Sequence, residues 1–415
     1  MDPTSPPGGG IFYNVTKDGM RYLNKRRREM RINRARARFE KIEAARANPN
    51  IYQFLKWLYD QEPVLERCGE AYPVAVYEAP DDQRRDVESI LVDLTVRDST
   101  KGWLVHNAKH RKNLELVGRS LHNRTTFTMQ EMVTNGQLGL KCSTGSYFDG
   151  LDTCDALERE LLEKVSHLEG SDERSFERFL RKLPLRSRLH REIQDPLRSG
   201  FGRSVAVSIS TLIAFHFDGD TRLMMRKRSP LTAAHPNLFH VIPSFMFQPA
   251  TTALRDEFSV RNNIYREYLE ELFDRAEPEQ GADDPSYFYG DANLQYLQNL
   301  MARGAVELYL TGVAVNLLSL RPDICTLLHV RTDEWYQHHS GRFSEQGKFQ
   351  LCDEFSSRID SLDEDIRGVV YRSADEEVVA HNPIRAHTVV PPGAGALWLG
   401  IDALRSGIVH SPGEP

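Results

Sequence analysis

Apolar residues fall at helical spacing most clearly between positions 253 and 273, where Leu254, Phe258, Tyr265, Tyr268, Leu269 and Leu272 form one stripe. The spacing predicts a helix that begins near Ala253. Ahead of it, residues 205–217 form a long β-type run, Asp218-Gly219-Asp220 is a turn signal, and residues 222–228 read as a second strand, so the pair predicts a hairpin. Residues 307–315 and 323–330 read as later strands, with a helix over 293–302 before them. Gly312, inside the first of these, predicts a bulge or a ligand close to the backbone. Residues 277–286 read as a loop insertion, His338 and His339 as loop residues, and 396–404 as an apolar closing segment.

The first half alternates differently. Residues 17–46 are helix-prone, and Asn48-Pro49-Asn50 ends that helix. A short amphipathic helix is predicted over 51–59, β or buried segments over 74–77 and 90–96, and helices over 107–121 and 151–168. A strand fits 138–142, 125–133 is ambiguous, and 176–193 is helical with a break at Pro184. Asp195-Pro196 and residues 199–202 read as a linker. The organisation expected is therefore a tail over 1–16, a basic helical arm over 17–50, a mainly helical α+β domain over 51–196, and a mixed α/β domain over 204–405.

The helix before Phe273 carries the candidate chemistry. Glu267, Glu270 and Glu271 lie three and four residues apart and share one face, where like charges repel. A divalent cation offsets such crowding, since hard oxygen ligands suit it; a solvated acidic face is the other reading. Arg266 sits four residues before Glu270, in position to pair with it. The order of hairpin, basic strand end, loop and acid-rich helix resembles the Nudix hydrolase family, and residues 266–271 match the Arg-Glu-x-x-Glu-Glu centre of the Nudix box. Counting back from Arg266, the box's first glutamate falls on Phe258, with Glu257 beside it, and the opening glycine falls on Thr252.

The resemblance covers about half the chain and implies an α/β/α sandwich with a mixed sheet. It implies Mg²⁺ or Mn²⁺ held by Glu267, Glu270 and Glu271, with Arg266 holding the carboxylates and Arg226 or Arg228 neutralising phosphate. It also implies one more carboxylate from a late loop, for which Glu364 and Asp365 are the candidates. The activity implied is hydrolysis of a nucleoside diphosphate linked to another group. The competing reading is a non-catalytic, ligand-sensing or regulatory domain of the same architecture, whose basic arm docks nucleic acid or a protein.

Composition narrows the setting. The 415 residues are 40% hydrophobic and 27% charged, as in a soluble globular protein, and no apolar run has the length of a membrane span. Five scattered cysteines without a Cys-x-x-Cys pair point to reduced thiols and the cytoplasm. Residues 1–50 hold 12 Lys/Arg and 5 Asp/Glu, leaving 41 and 54 for the rest, so a +7 arm precedes a body of −13. Arg26, Arg27, Arg28, Arg31, Arg34, Arg36 and Arg38 are dense enough to bind nucleic acid through its phosphates, or to lie on the acidic body. The first half otherwise carries no chemical motif; its role is read as scaffold or homodimer surface, and His106, His110, His122, His167 and His190 show no metal-ligand spacing.

Overall fold

The computed structural model describes residues 17–96, 108–118, 121–230, 232, 235–276, 284, 286–340, 349, 370–373 and 384–406. In chain order the elements are α1 (Lys17–Ala45), α2 (Pro49–Leu58), β1 (Val64–Arg67), β2 (Glu70–Glu78), β3 (Leu91–Thr95), α3 (Ala108–Leu116), β4 (Thr125–Val133) and β5 (Gly139–Ser146). There follow α4 (Tyr147–Lys164), α5 (Glu173–Leu180), α6 (Pro184–Glu192), β6 (Ser208–Phe217), β7 (Asp220–Lys227), β8 (Phe239–Val241), β9 (Ser244–Met246) and α7 (Val260–Phe273). The chain continues with α8 (Ala292–Ala302), β10 (Val306–Asn316), β11 (Pro322–Val330), α9 (Asp333–His339), β12 (Val370–Ser373) and α10 (Pro391–Arg405).

The fold is mixed α+β. Nine strands form one sheet in the order β1-β2-β10-β11-β6-β7-β12, with β8 on β7 and β9 on β6; β3-β5-β4 form a second. Only β6 and β11 run parallel in the large sheet, in a register that pairs Ser208 with Asp323 and Phe215 with Val330. The period-2 alternation of these strands sorts their side chains to two faces. Ile209, Ile213 and Phe215 of β6 join a core with α7 and α8, whereas Leu212 and Ala214 join one with α10. Helices therefore cover both faces. The closing apolar segment is the helix α10, opened by Pro391 and Pro392 at the positions where a missing N–H costs nothing. Gly395 lets it lie close to the sheet, because a Cβ there would stand 2.5 Å from that of Ala314.

The hairpin expected from residues 205–228 is β6–β7, turned by Asp218 and Gly219, both at positive φ. Gly312 does mark a bulge: the β10–β11 register shifts between Leu310 and Gly312. The backbone approaching it is that of β2, since a Cβ would meet the Tyr77 carbonyl oxygen at 2.2 Å. Residues 125–133 are a strand, and the break at Pro184 separates α5 from α6.

Two expectations are corrected. The helix does not begin near Ala253: Ser259 caps it, accepting from the Asn262 N–H, and residues 253–258 form turns before it. His338 and His339 end α9 and do not lie in a loop. Across the expected boundary at 196–204, β1 and β2 of the first half form the edge of the large sheet, with β2 paired to β10. The linker residues are held too: Ser199 bridges to Glu131, and the Gly200 N–H donates to the Gln130 carbonyl at 2.8 Å.

Candidate functional site

A cavity of about 700 Å³ lies where the two halves meet. One wall is α7. Its apolar stripe, including Ile264, Tyr268 and Leu272, is buried in the core and fixes the helix's rotation, which turns Glu267, Glu270 and Glu271 to the cavity. The first half anchors this helix: the Glu88 carboxylate accepts from the Val260 and Arg261 N–H groups and the Ser259 hydroxyl, at 2.8–3.0 Å. An anion there satisfies orphan donors and meets the positive end of the helix dipole.

Arg266 is buried within a polar cluster. It donates to Glu257 (3.1 Å), the Gln248 carbonyl (3.0 Å), Asn263 (2.8 Å) and Glu267 (3.2 Å). Its carboxylate partners include Glu257 and Glu267. Glu257 stands nine residues before Arg266, in the turn ahead of Ser259. Phe258 stacks with Phe247 and meets Phe127 edge-on. Both Glu271 oxygens accept from the Ser244 N–H at 3.1 Å.

Of the two basic strand-end residues, Arg228 lines the cavity, and Arg226 is buried on β7 opposite His240 of β8. Glu364 and Asp365 lie outside the described residues.

Sequence reasoning missed a polar chain under the α7 wall. The Asp323 carboxylate accepts from Ser210 (2.7 Å), whose hydroxyl is 3.3 Å from that of Ser244, which in turn is 3.0 Å from His240 Nε2. Burial raises the Asp323 pKa to about 6, against the Ser210 hydrogen bond and the charges of Arg321 and Arg228. Burial, reinforced by Arg228 and His235, lowers that of His240 well below the ordinary value, so its ring is neutral at neutral pH. Ser244 and His240 do not make a nucleophilic triad, because Nδ1 of His240 has no hydrogen-bond partner among the described residues to orient the ring. None of these four residues had a sequence signal, since each acquires its meaning from partners on other strands.

A second wall comes from α1, α3, α4 and the segments that follow α1 and α3, with Phe39, Ile42, Leu114, Leu151 and Leu162 as its apolar surface and Arg46, Arg124, Arg159, His110 and His122 as its polar groups. Arg46 pairs with Glu158 (2.5 Å) and Glu43 (3.1 Å), and Arg38 pairs with Glu163 (2.5 Å). The arm's second half thus packs on the body through Ala35, Phe39, Ile42 and Ala45, while Arg26, Arg27, Arg28, Arg31, Arg34 and Arg36 stay exposed.

Among the described residues no three His, Cys, Asp or Glu side chains form a ready metal cage. The donor set still suits Mg²⁺, which keeps several waters and takes one or two carboxylates plus substrate phosphates. Among the same residues no helix is long and apolar enough to cross a membrane. No protein-family model matches the chain, and no curated protein matches it.

Proposed function

We propose that the chain is a metal-dependent hydrolase of a nucleoside diphosphate linked to another group, with a Nudix-like α/β/α sandwich and a divergent Nudix box. The observation that carries this reading is the α7 wall: three carboxylates from one helix face a cavity that Arg228 also lines, and Arg266 ties Glu257 to Glu267 beneath them. A divalent cation held by one or two of Glu267, Glu270 and Glu271, with waters completing its shell, would supply charge neutralisation for the diphosphate and lower the cost of activating water.

The chain's own residues do the rest. Arg266 fixes the Glu267 carboxylate from behind, so that it need not reorganise when substrate arrives. The Ser244 N–H does the same for Glu271. Arg228 neutralises phosphate charge from the strand side, where positioning and electrostatics supply most of the catalysis in phosphoryl transfer. Neutral His240 avoids adding a second fixed cation beside Arg228. The apolar residues of the α1–α4 wall exclude water from the linked group.

The test is release of phosphate or nucleoside monophosphate from a panel of nucleoside diphosphate derivatives, with and without Mg²⁺. Metal-dependent release that Glu270→Gln and Glu271→Gln both abolish supports the reading. No release from any compound favours a ligand-sensing role for the same cavity.

The exposed arginine face of α1 supports a second, separable proposal, that the arm docks the phosphate backbone of nucleic acid.

A further inference from the structure

Arg159 differs from its neighbours on the α1–α4 wall. It lines the cavity, the residue is only 8% exposed, and Nη1 is sealed from solvent. Among the described residues it makes no hydrogen bond or ion pair. The carboxylates around it are engaged elsewhere: Glu163 with Arg38 (2.5 Å), Asp155 with Arg321 (3.3 Å), Asp152 with Arg111 (2.6 Å) and Glu158 with Arg46 (2.5 Å). Burial lowers its pKa, while Glu163, Asp155 and Asp152 oppose this from a distance and Arg38 adds to it. A guanidinium nonetheless stays protonated in proteins. A positive charge is therefore held inside the cavity wall with nothing among the described residues bonded to it, and a bound anion relieves that cost.

We propose that Arg159 anchors an anion subsite that takes a phosphate group of the cavity's ligand. The guanidinium fork matches phosphate oxygens two at a time, and the apolar residues beside it, Leu151 and Leu162, strengthen each charge-assisted bond by excluding water. The subsite stands on α4, whereas Glu267, Glu270 and Glu271 stand on α7. Where the ligand is a nucleoside diphosphate derivative, Arg159 binds a phosphate away from the carboxylates, and that assignment alone rests on the hydrolase reading.

The experiment uses the full chain without metal, in EDTA, so that the carboxylate wall takes no part. Pyrophosphate and ADP are titrated separately, with melting temperature and calorimetry as readouts. The expected result is that at least one stabilises the parent in a concentration-dependent way, that Arg159→Met weakens its binding at least tenfold, and that Arg159→Lys retains part of it. Without ligand, Arg159→Met melts at the parent's temperature or above. Pyrophosphate alone sufficing identifies a simple phosphoanhydride site, and preference for ADP identifies a nucleotide; both support the subsite. No binding of either by the parent overturns it, as does equal binding by Arg159→Met, or by Arg159→Ala should the Met variant fail to fold. Loss of hydrolysis in Glu270→Gln with unchanged binding in EDTA keeps the two proposals apart.

Discussion

On the α7 wall of the cavity, buried charge is compensated inside the protein: Arg266 holds two carboxylates, Glu257 and Glu267, and also donates to Asn263 and the Gln248 carbonyl. On the α1–α4 wall Arg46 is likewise paired, whereas Arg159 is buried with the carboxylates of Asp152, Asp155, Glu158 and Glu163 already engaged by other arginines. Arg266 and Arg159, both buried, thus occupy opposite electrostatic situations. One is a brace whose partners need it. The other is a charge that needs a partner. The difference teaches that burial of a cation says little by itself, and that its meaning depends on what is already bonded.

The largest effect expected is on turnover. A carboxylate that holds or deprotonates the attacking water contributes about 10²–10⁴-fold, so Glu270→Gln and Glu271→Gln should each reduce hydrolysis by at least about the lower figure. Their melting temperatures should fall little, because removing one of several crowded like charges on α7 relieves repulsion. Unchanged turnover in both variants removes the α7 wall from the chemistry.

The comparison sharpens in a pair of like substitutions. Arg266→Met strands Glu257 and Glu267 in the interior, and breaking a buried pair in this way costs about 3–5 kcal/mol. Arg159→Met strands nothing and should leave stability equal or higher. Denaturant unfolding of the two variants beside the parent reads the contrast directly. Equal losses would break it.

How much of this was legible before folding follows from distance along the chain. The region from β6 to α7 was readable because its signals are local: Asp218-Gly219 sets a two-residue turn, and Tyr268, Leu269 and Leu272 keep helical spacing. The helix start was misplaced because Leu254 and Phe258 match that spacing by coincidence, while the Ser259 cap decides the boundary. Glu257 as a partner of Arg266 was not legible from helical spacing, since that spacing assumes a helix where the chain makes a turn. Asp323, Ser210, Ser244 and His240 come together from four strands, and the parallel pairing of β6 with β11 that joins the first two links positions far apart in the chain. Likewise β2 shows as a strand in the sequence, but nothing local says that it pairs with β10. Arg159 was invisible because its distinction is the absence of a bond among the described residues.

A smaller, pH-dependent effect separates the polar chain beneath the α7 wall from both arginines. The Asp323 pKa rises from 3.8 to about 6 on folding. A carboxyl whose folded value is raised stabilises below its unfolded value and loses that contribution as pH rises through the folded one. The parent should therefore lose up to ~3 kcal/mol between about pH 4 and pH 6 through this group. Asp323→Asn does not titrate, so its stability relative to the parent should climb across the same window and level off above it. Depression of His240 acts in the opposite sense, costing stability as pH falls below its ordinary value, and His240→Gln in the same background isolates it. A constant difference between Asp323→Asn and the parent from about pH 4 to pH 7 rules out the raised carboxyl.

The smallest effect on stability is expected where charge is exposed. Arg26, Arg27, Arg28 and Arg31 on α1 are exposed, whereas Arg38 and Arg46 nearer its end bridge to α4. Replacing the first four by Ala should change unfolding free energy by no more than about 0.5 kcal/mol, because none of them is placed to strand a buried partner. Their effect should appear in binding instead. For every phosphate that is no longer neutralised, the slope of log affinity against log salt falls by about one. The fourfold variant should therefore bind a nucleic-acid duplex more weakly and with a flatter salt dependence. The cavity should be indifferent: pyrophosphate or ADP binding in EDTA and metal-dependent hydrolysis should match the parent. A parent that does not bind nucleic acid, or a variant that binds it with the same salt slope, assigns the exposed face no such partner. A variant that also loses ligand binding in the cavity would instead show that the arm's charge acts on the α1–α4 wall from a distance, and the two regions would no longer be separable.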